Sequence, residues 1–307
     1  MPWLVHAFST RRGGVGRPPA AGLNLGDAGS TQRASVVKNR RVFFDALRVA
    51  GFSLASLRQI HSAEVFEAGK GRTLEYRPAG YEFAPQAQPE RCSGDAMLTR
   101  EEGVLLSIRT ADCLPILIVD PQLRAIAAIH AGWRGALKRV TGKTIGEMRR
   151  LYGSKPEGLF AALGPCIRPC CYEVGEEVVD GFTARFVNSA KYFKKRTGGG
   201  PGKQSPSFLS MMPPGHDRAT GSGFCLDLAA SARDQLRSAG LLPSHIQEAG
   251  FCTSCRTDLF FSYRKEGSAT GRIMAVIGIR ESYARCQEKL FGCHSERSEE
   301  SAVLSNL

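Results

Sequence analysis

Two short apolar segments separated by a turn constrain the fold most strongly. Residues 114–120 read LPILIVD and residues 125–131 read AIAAIHA, with the turn-forming sequence DPQLR between them. Both segments are too short and too β-branched for helices. We therefore predict two buried strands joined by a tight turn in the interior of a sheet.

Strands and helices interleave along the rest of the chain, which predicts a single-domain α/β sandwich with mixed sheets flanked by helices. Apolar spacing predicts helices, and short apolar runs predict further strands. The predicted helices cover 34–50, 135–153, 175–186 and 226–240, and the other strands cover 104–108, 159–164, 258–264 and 272–279.

The composition is that of a soluble globular protein. Of the 307 residues, 42% are hydrophobic and 23% are charged, and no apolar run is long enough to span a bilayer. We find no secretory signal, so we expect a cytoplasmic protein without a membrane partner, monomeric or dimeric, with its ten cysteines reduced.

The chain is basic, with a net charge of +12. This charge attracts anions but does not choose among phosphate, nucleotide and RNA. Because no aromatic-rich basic stripe or nucleic-acid motif accompanies it, a module that binds RNA or protein is unsupported, and we expect no nucleic-acid partner.

Two segments lie outside the predicted domain core. Residues 194–207 are rich in Gly, Pro and charge, which predicts a mobile insertion. Residues 286–307 form a polar, aperiodic tail that we expect to be disordered. We therefore place one domain at residues 1–285.

A cysteine and a histidine lie at the ends of the two strands opposite the turn. Cys113 and His130 are nearly equidistant from that turn, so an antiparallel pair would make them cross-strand neighbours. His61 begins another short extended run. Two imidazoles and one thiolate suit Zn²⁺ and leave its fourth position open. A nucleophilic Cys113–His130 pair, or residues with a purely structural role, explain the same spacing.

The remaining cysteines give a weaker signal. Cys252 and Cys255 form a single C-x-x-C without a second pair at zinc-finger spacing, so we interpret them as structural thiols. Cys170 and Cys171 are adjacent, and disulfide geometry argues against a bond between them.

Ten sequence blocks in order resemble the laccase-domain family, also called polyphenol oxidase and more recently purine nucleoside phosphorylase. They are FSTRRGGVG, GLNLG, VVKNRR, RQIHSAEV, GDAMLT, TADCLPILIVD, AAIHAGWRGAL, LGPCI, CYEVGEEV and FFSYRKEG with ATGRIMAVIGI. The resemblance implies an α+β sandwich of a cysteine-hydrolase-like kind. It further implies zinc held by His61, Cys113 and His130 as the catalytic centre.

The resemblance also implies two activities. One is phosphorolysis of adenosine, inosine, guanosine and methylthioadenosine, and the other is deamination of adenosine at the same site. Deamination needs a group that protonates the leaving ammonia. Asp112 and Glu64 are the acids nearest the ligands in sequence; we assign Asp112 as catalytic and expect Glu64 to support a ligand or lie at the surface.

Phosphorolysis needs cations that bind phosphate, and arginine is suited to this task. Arg40 and Arg134 are the candidates, although Arg40 fits a solvated helix face equally well. Gln59 and Ser62 flank His61 and are predicted to contact the base or the ribose.

Two other enzyme classes remain as alternatives. Copper at a His₂Cys site is chemically reasonable, which keeps a copper-dependent polyphenol oxidase open. However, a multicopper centre needs more histidines than the six in this chain. The other alternative is a Cys/His hydrolase that cleaves an amide of a cell-wall precursor.

Overall fold

The computed structural model describes residues 1–26, 33–69, 77–78, 92–195 and 223–281. The strands are β1 Leu4–Phe8, β2 Ser53–Ala55, β3 Val65–Glu67, β4 Arg77–Pro78, β5 Ala96–Thr99, β6 Val104–Thr110, β7 Leu114–Asp120, β8 Ala125–Ala131, β9 Phe160–Leu163, β10 Glu173–Val174, β11 Phe193–Lys195, β12 Phe224–Leu226, β13 Ile246–Glu248 and β14 Ile273–Ile279. The helices are α1 Arg33–Leu47, α2 Trp133–Leu137, α3 Val140–Tyr152, α4 Glu176–Arg185, α5 Leu228–Ser238 and α6 Tyr263–Glu266.

Two mixed sheets form the centre of the fold. The strand orders are β1-β14-β6-β2-β4 and β13-β9-β7-β8-β5-β3, and a small third sheet has the order β10-β12-β11. Apolar side chains of β6 and β14 pack against those of β7 and β8 between the two large sheets. Helix α1 covers the outer face of the first sheet, and α3, α4 and α5 cover the second. The predicted α/β sandwich with mixed sheets is therefore confirmed.

The pleat of β7 and β8 separates two cores. Ile116 and Ile118 pack on the helical side, whereas Leu117 and Val119 face the other sheet. Every residue of both strands is buried. The predicted hairpin is confirmed, and it is flanked by β9 on one side and β5 on the other.

Two of the predicted elements differ in the structure. The helix predicted over 135–153 is divided into α2 and α3, because Arg139 adopts a left-handed conformation with φ of 62°. The strand predicted over 258–264 is wrong: turns lead instead into α6, whose first turn is capped by the Ser262 hydroxyl, which accepts a hydrogen bond from the Lys265 backbone.

The two segments predicted to be peripheral lie largely outside the described residues. Only Lys194 and Lys195 of the 194–207 segment are described, and they end β11; the 286–307 tail is not described at all. Among the helices in the described ranges, none is long and apolar enough to cross a membrane.

Candidate metal centre

The β7–β8 register brings Cys113 and His130 to one face of the sheet, although not directly opposite each other. His130 pairs with Pro115, so Cys113 lies two residues before the partner of His130. The two residues therefore form a diagonal cross-strand pair, offset by two residues from direct opposition. Since side chains alternate along a strand, this offset keeps both side chains on the face toward the other sheet. A diagonal pair on one face remains within reach of a shared ligand.

His61 reaches the same place from the segment before β3. Its backbone is left-handed, with φ of 57°, which turns the chain at the site. The His61 Nε2 lies 3.8 Å from the Cys113 Sγ, and the His61 and His130 rings meet edge-on at 5.0 Å between centroids. One donor atom from each of His61, Cys113 and His130 lies within 4.8 Å of the others.

A buried carboxylate, Asp95, holds two of these three residues in place. Its oxygens accept hydrogen bonds from the backbone N–H groups of Ile60, His61 and Ser62, at 3.3, 3.0 and 2.5 Å. The His130 Nδ1 lies 2.7 Å from Asp95 Oδ1. Asp95 precedes β5, which pairs with β8, so its position directly opposite His130 follows from the strand register.

The contact with Asp95 decides which nitrogen of His130 faces the site. Because Nδ1 is used by the carboxylate, Nε2 remains as the donor atom for a metal ion. Burial disfavours the charged carboxylate, but His130 and Ser62 outweigh this effect and lower the pKa of Asp95 to about 2. Asp95 is therefore an anion at neutral pH and orients the imidazole.

Cys113 lies in an environment that favours the thiolate. Burial opposes its ionisation, but the adjacent His130 and His61 outweigh burial and lower the pKa of Cys113 to about 6. Burial likewise opposes the charged form of His130, yet the Cys113 thiolate and Asp95 raise its pKa. A thiolate is the form of cysteine that binds metals.

Gly132 leaves the space that the three donors need. A Cβ at this position would lie 2.8 Å from His61 Cδ2 and 3.1 Å from Cys113 Sγ. Any other residue would therefore displace these side chains. The absence of a side chain at this glycine is therefore what allows the backbone to approach the donors closely.

The donor set fits one divalent ion. In tetrahedral zinc sites the donor atoms are about 3.3–3.6 Å apart, given metal–nitrogen and metal–sulfur bonds of about 2.0–2.3 Å. The 3.8 Å separation of His61 Nε2 and Cys113 Sγ is close to this spacing. Three protein donors are the number found in catalytic sites, where the fourth position takes water or substrate.

The two acids nearest the ligands in sequence occupy different environments. Glu64 is exposed, which agrees with the expected surface position, and its backbone carbonyl accepts hydrogen bonds from Asp95 and Ala96. Asp112 is buried and accepts hydrogen bonds from the Thr253 hydroxyl and the Arg264 backbone, both at 2.6 Å. Burial raises the pKa of Asp112. Its contacts join the segment that carries Cys113 to the 253–264 segment.

The two candidate arginines make different contacts. The guanidinium of Arg40 donates hydrogen bonds to the backbone carbonyls of Leu25 and Gly26. The guanidinium of Arg134 stacks on Trp133, with Cζ 4.1 Å from the ring centroid, on the short helix that follows Gly132. Arg134 is therefore connected to the site by chain position, whereas the contacts of Arg40 tie α1 to the loop at Leu25 and Gly26.

The polar residues flanking His61 bind protein groups. The Gln59 amide donates to the Arg109 carbonyl at 2.8 Å and accepts from the Arg109 N–H at 2.9 Å. The Ser62 hydroxyl donates to Asp95 at 2.7 Å. These bonds fix the loop that carries His61; contact of either residue with a base or ribose stays a prediction.

Sequence reasoning missed Asp95. Its signal was available, because an acid directly before the buried strand AMLT is an unusual neighbour for a core segment. Reasoning from chain distance favoured Asp112 and Glu64 instead. Only the pairing of β5 with β8 shows that Asp95 lies beside His130.

A second missed residue is Arg272, at the start of β14. It is partly buried, and its guanidinium donates to the carbonyls of Thr270 and Gly271. Burial lowers the pKa of Arg272, whereas the nearby Cys113 and Asp112 raise it. A partly buried cation therefore lies in the electrostatic range of the donor cluster.

The family of this chain is shown by a match over most of its length. Residues 5–280 match the family described as multi-copper polyphenol oxidoreductase laccase. The chain belongs to this laccase-domain family, so the resemblance found in the sequence is confirmed.

Relatives of this chain carry two kinds of enzyme name. A purine nucleoside phosphorylase of Deinococcus radiodurans is 36% identical over 276 residues, covering 90% of this chain and 89% of that protein. The adenosine deaminase RL5 of an unknown prokaryotic organism is 32% identical, covering 87% of this chain and 91% of its own length. The crystal structure of YlmD from Geobacillus stearothermophilus superposes with a TM-score of 0.70 at 32% identity, covering 91% of this chain and 93% of that chain.

Proposed function

We propose that this protein is a zinc-dependent purine nucleoside phosphorylase that also deaminates adenosine. The observation that carries the proposal is the convergence of His61, Cys113 and His130, with Asp95 orienting His130. The names of relatives that match most of this chain support the nucleoside substrate. The proposed substrates are adenosine, inosine, guanosine and methylthioadenosine, with phosphate as the second substrate.

The three donors are proposed to hold one zinc ion. When bound, zinc supplies a Lewis acid with an open coordination position beside the substrate. His130 binds through Nε2 because Asp95 holds Nδ1. Cys113 binds as a thiolate, and Gly132 keeps the backbone of the next turn clear of both His61 and Cys113.

Phosphate is proposed to bind near Arg134. This arginine lies on α2, directly after the ligand strand β8 and Gly132, so its backbone position is fixed beside the donor cluster. Its stacking on Trp133 limits the freedom of the guanidinium, which reduces the entropy lost when a phosphate binds. Arg40 is the second candidate, while Gln59 and Ser62 are proposed to contact the base or ribose.

Asp112 is the proposed proton donor for the leaving ammonia of adenosine. It adjoins the ligand Cys113, and its burial excludes competing water from the carboxyl group. Its hydrogen bonds to Thr253 and Arg264 fix its position, so the same contacts give it a structural role.

A copper-dependent oxidase and an amide hydrolase remain the alternatives to be tested. The His₂Cys donor set also suits copper. The thiolate-favouring surroundings of Cys113 also suit a nucleophile paired with His130. A nucleophilic Cys113 would act without a metal, so the two roles make opposite predictions for chelation.

Phosphate dependence separates these functions. The full-length protein is incubated with adenosine in buffer without phosphate and in buffer with phosphate, and the products are resolved by chromatography. We expect adenine and ribose 1-phosphate only with phosphate, and inosine under both conditions. Cys113→Ala should abolish both reactions and lose the zinc ion held by His61, Cys113 and His130.

Three outcomes would contradict the proposal. Adenosine consumption that requires O₂ and copper would indicate the oxidase. Hydrolysis of an amide that is insensitive to chelation but blocked by thiol alkylation would indicate the hydrolase. Full adenosine phosphorolysis by a metal-free protein would remove the proposed role of zinc.

A further inference from the structure

Four cysteines outside the candidate metal centre come together in the structure. Cys170 and Cys171 follow β9, and Cys252 and Cys255 follow β13. Their four Sγ atoms all lie within 4.8 Å of one another. We refer to these four residues as the four-cysteine cluster. None of them belongs to the His61–Cys113–His130 site.

The parallel pairing of β9 and β13 explains how the cluster forms. The two strands are hydrogen-bonded neighbours, and the bridge between Cys166 and Cys252 extends their pairing beyond the strand ends. The chain then turns at 168–172, where the Cys171 N–H donates to the Arg168 carbonyl. This turn brings the thiols of Cys170 and Cys171 next to those of Cys252 and Cys255, which lie in the connection after β13.

The sulfur spacing is that of a single tetrahedral ion. Four sulfurs around zinc, each about 2.3 Å from it, are about 3.8 Å apart. The Cys255 Sγ lies 3.5 Å from the Cys170 Sγ and 3.4 Å from the Cys171 Sγ. A disulfide would require about 2.05 Å, so these residues are thiols. A multi-iron cluster needs wider spacing, because iron and sulfide separate its cysteines.

Two backbone N–H groups lie beside the sulfur of Cys252. The Arg168 and Cys255 backbone N–H groups face the Cys252 sulfur, as in metal-binding knuckles in which amides stabilise bound thiolates. Thiolates so close together repel one another unless a cation lies between them.

We propose that Cys170, Cys171, Cys252 and Cys255 bind a second zinc ion, in a closed structural site. Four protein ligands leave no position for substrate, which is the pattern of structural rather than catalytic zinc. The ion would join the connections after β9 and β13. From the sequence, Cys252 and Cys255 are interpreted as structural thiols, because no second pair stands at zinc-finger spacing. In the structure, the adjacent residues Cys170 and Cys171 take the place of that second pair.

The proposed second zinc site would also stabilise a loop next to the candidate metal centre. Thr253, between the two cysteines of the C-x-x-C, donates its hydroxyl hydrogen bond to Asp112, and its N–H binds the Cys166 carbonyl. Asp112 adjoins Cys113. The second ion would therefore fix a loop that contacts the wall of the first site.

Metal stoichiometry tests this proposal. The full-length protein and its variants are loaded with Zn²⁺ under reducing conditions, freed of excess ion, and measured for metal by mass spectrometry. We expect about two zinc ions per chain in the wild type, about one in Cys255→Ser and about one in Cys113→Ala. Cys92→Ser, which changes a cysteine outside both groups, should retain two.

The controls separate this proposal from the proposed function. Loss of one ion in Cys113→Ala but none in Cys255→Ser would overturn only the four-cysteine site. A wild type with a Cys170–Cys255 disulfide and no ion at this place would also overturn it, as would iron instead of zinc. Substitution with Co²⁺ should give stronger sulfur-to-metal absorption in Cys113→Ala than in Cys255→Ser, because four thiolates contribute rather than one.

A measurement on the wild type keeps the test independent of variant folding. Cys170 and Cys255 are exposed, so without a metal they should react readily with an alkylating reagent. Peptide-resolved alkylation should therefore be slow at both residues in the zinc-loaded protein and at least several-fold faster after chelation. Cys92 provides the reference rate. Equal rates at Cys170 and Cys255 before and after chelation would overturn the proposal.

Discussion

The carboxylate of Asp95 connects two of the three proposed zinc ligands. Within the described part of the chain, its side chain meets donors: three backbone N–H groups, the Ser62 hydroxyl and the His130 ring. An amide in its place would turn an NH₂ group toward some of these donors. Asp95 therefore acts on the metal through His61 and His130, and we regard it as a positioning residue.

We predict that Asp95→Asn weakens zinc binding at the His61–Cys113–His130 site by about 10–100-fold, the usual effect of losing a partner that orients a ligand. Competition with a fluorescent zinc chelator measures the affinity. Glu64→Gln is the matched control, since Glu64 is exposed and should leave the affinity unchanged. Equal affinities in Asp95→Asn and the wild type would contradict the positioning role.

Gly132→Ala tests the space between the donors. The new Cβ would lie 2.8 Å from His61 Cδ2, too close for either atom to remain in place. We expect loss of zinc and of adenosine phosphorolysis in a folded protein. Gly142→Ala, on α3 with open space around it, should retain zinc and raise stability by up to about 1 kcal/mol. Activity retained in Gly132→Ala would mean that the site tolerates a displaced His61.

At the scale of elements, the Gln59 side chain joins the His61 loop to β6. Its two hydrogen bonds to the Arg109 backbone imitate those of a neighbouring strand. Gln59→Ala should lower the free energy of unfolding by about 1–3 kcal/mol, because partly buried backbone groups lose their partner. Urea denaturation measures the change. The exposed Gln247→Ala should leave the midpoint unchanged, and an equal loss in both variants would contradict this role.

Elements bounded by clear turn signals were predictable from the sequence. The strands β7 and β8 are fully apolar runs on either side of DPQLR, and burial on both faces explains their composition. The helix predicted over 135–153 failed at Arg139, because one left-handed residue gives no signal in apolar spacing. The strand predicted over 258–264 failed because its aromatic residues Phe260 and Phe261 fill a small core around turns.

The candidate site was predictable only in part. Chain distance from the turn predicted that Cys113 and His130 are cross-strand neighbours, and the observed register makes them a diagonal pair offset by two residues. The contribution of Asp95 depends on β5 lying beside β8, and no local pattern encodes that neighbour. The four-cysteine cluster depends likewise on the parallel pairing of β9 and β13.

At the scale of the whole molecule, the proposed ligands come from three separate segments of the sandwich and are not members of its two largest apolar clusters. Those clusters, on both sides of the β7–β8 pair, are held by contacts among apolar side chains. Zinc should therefore stabilise a fold that already exists, unlike a small domain that folds only with its metal.

We predict that the metal-free protein stays folded but melts at a lower temperature. Far-ultraviolet circular dichroism should show retained secondary structure after chelation. The melting temperature should rise as Zn²⁺ is restored, with a stabilisation of about 2.7 kcal/mol at a free concentration 100-fold above the Kd. A metal-free protein with the spectrum of an unfolded chain, or a melting temperature independent of zinc, would contradict this prediction.

Anomalous diffraction from a crystal of the zinc-loaded protein, recorded on both sides of the zinc absorption edge, tests the central claim most directly. We predict a peak about 2.0–2.3 Å from His61 Nε2, Cys113 Sγ and His130 Nε2, present above the edge and absent below it. No peak at this position in zinc-loaded crystals, with the three side chains turned away from one another, would contradict the account.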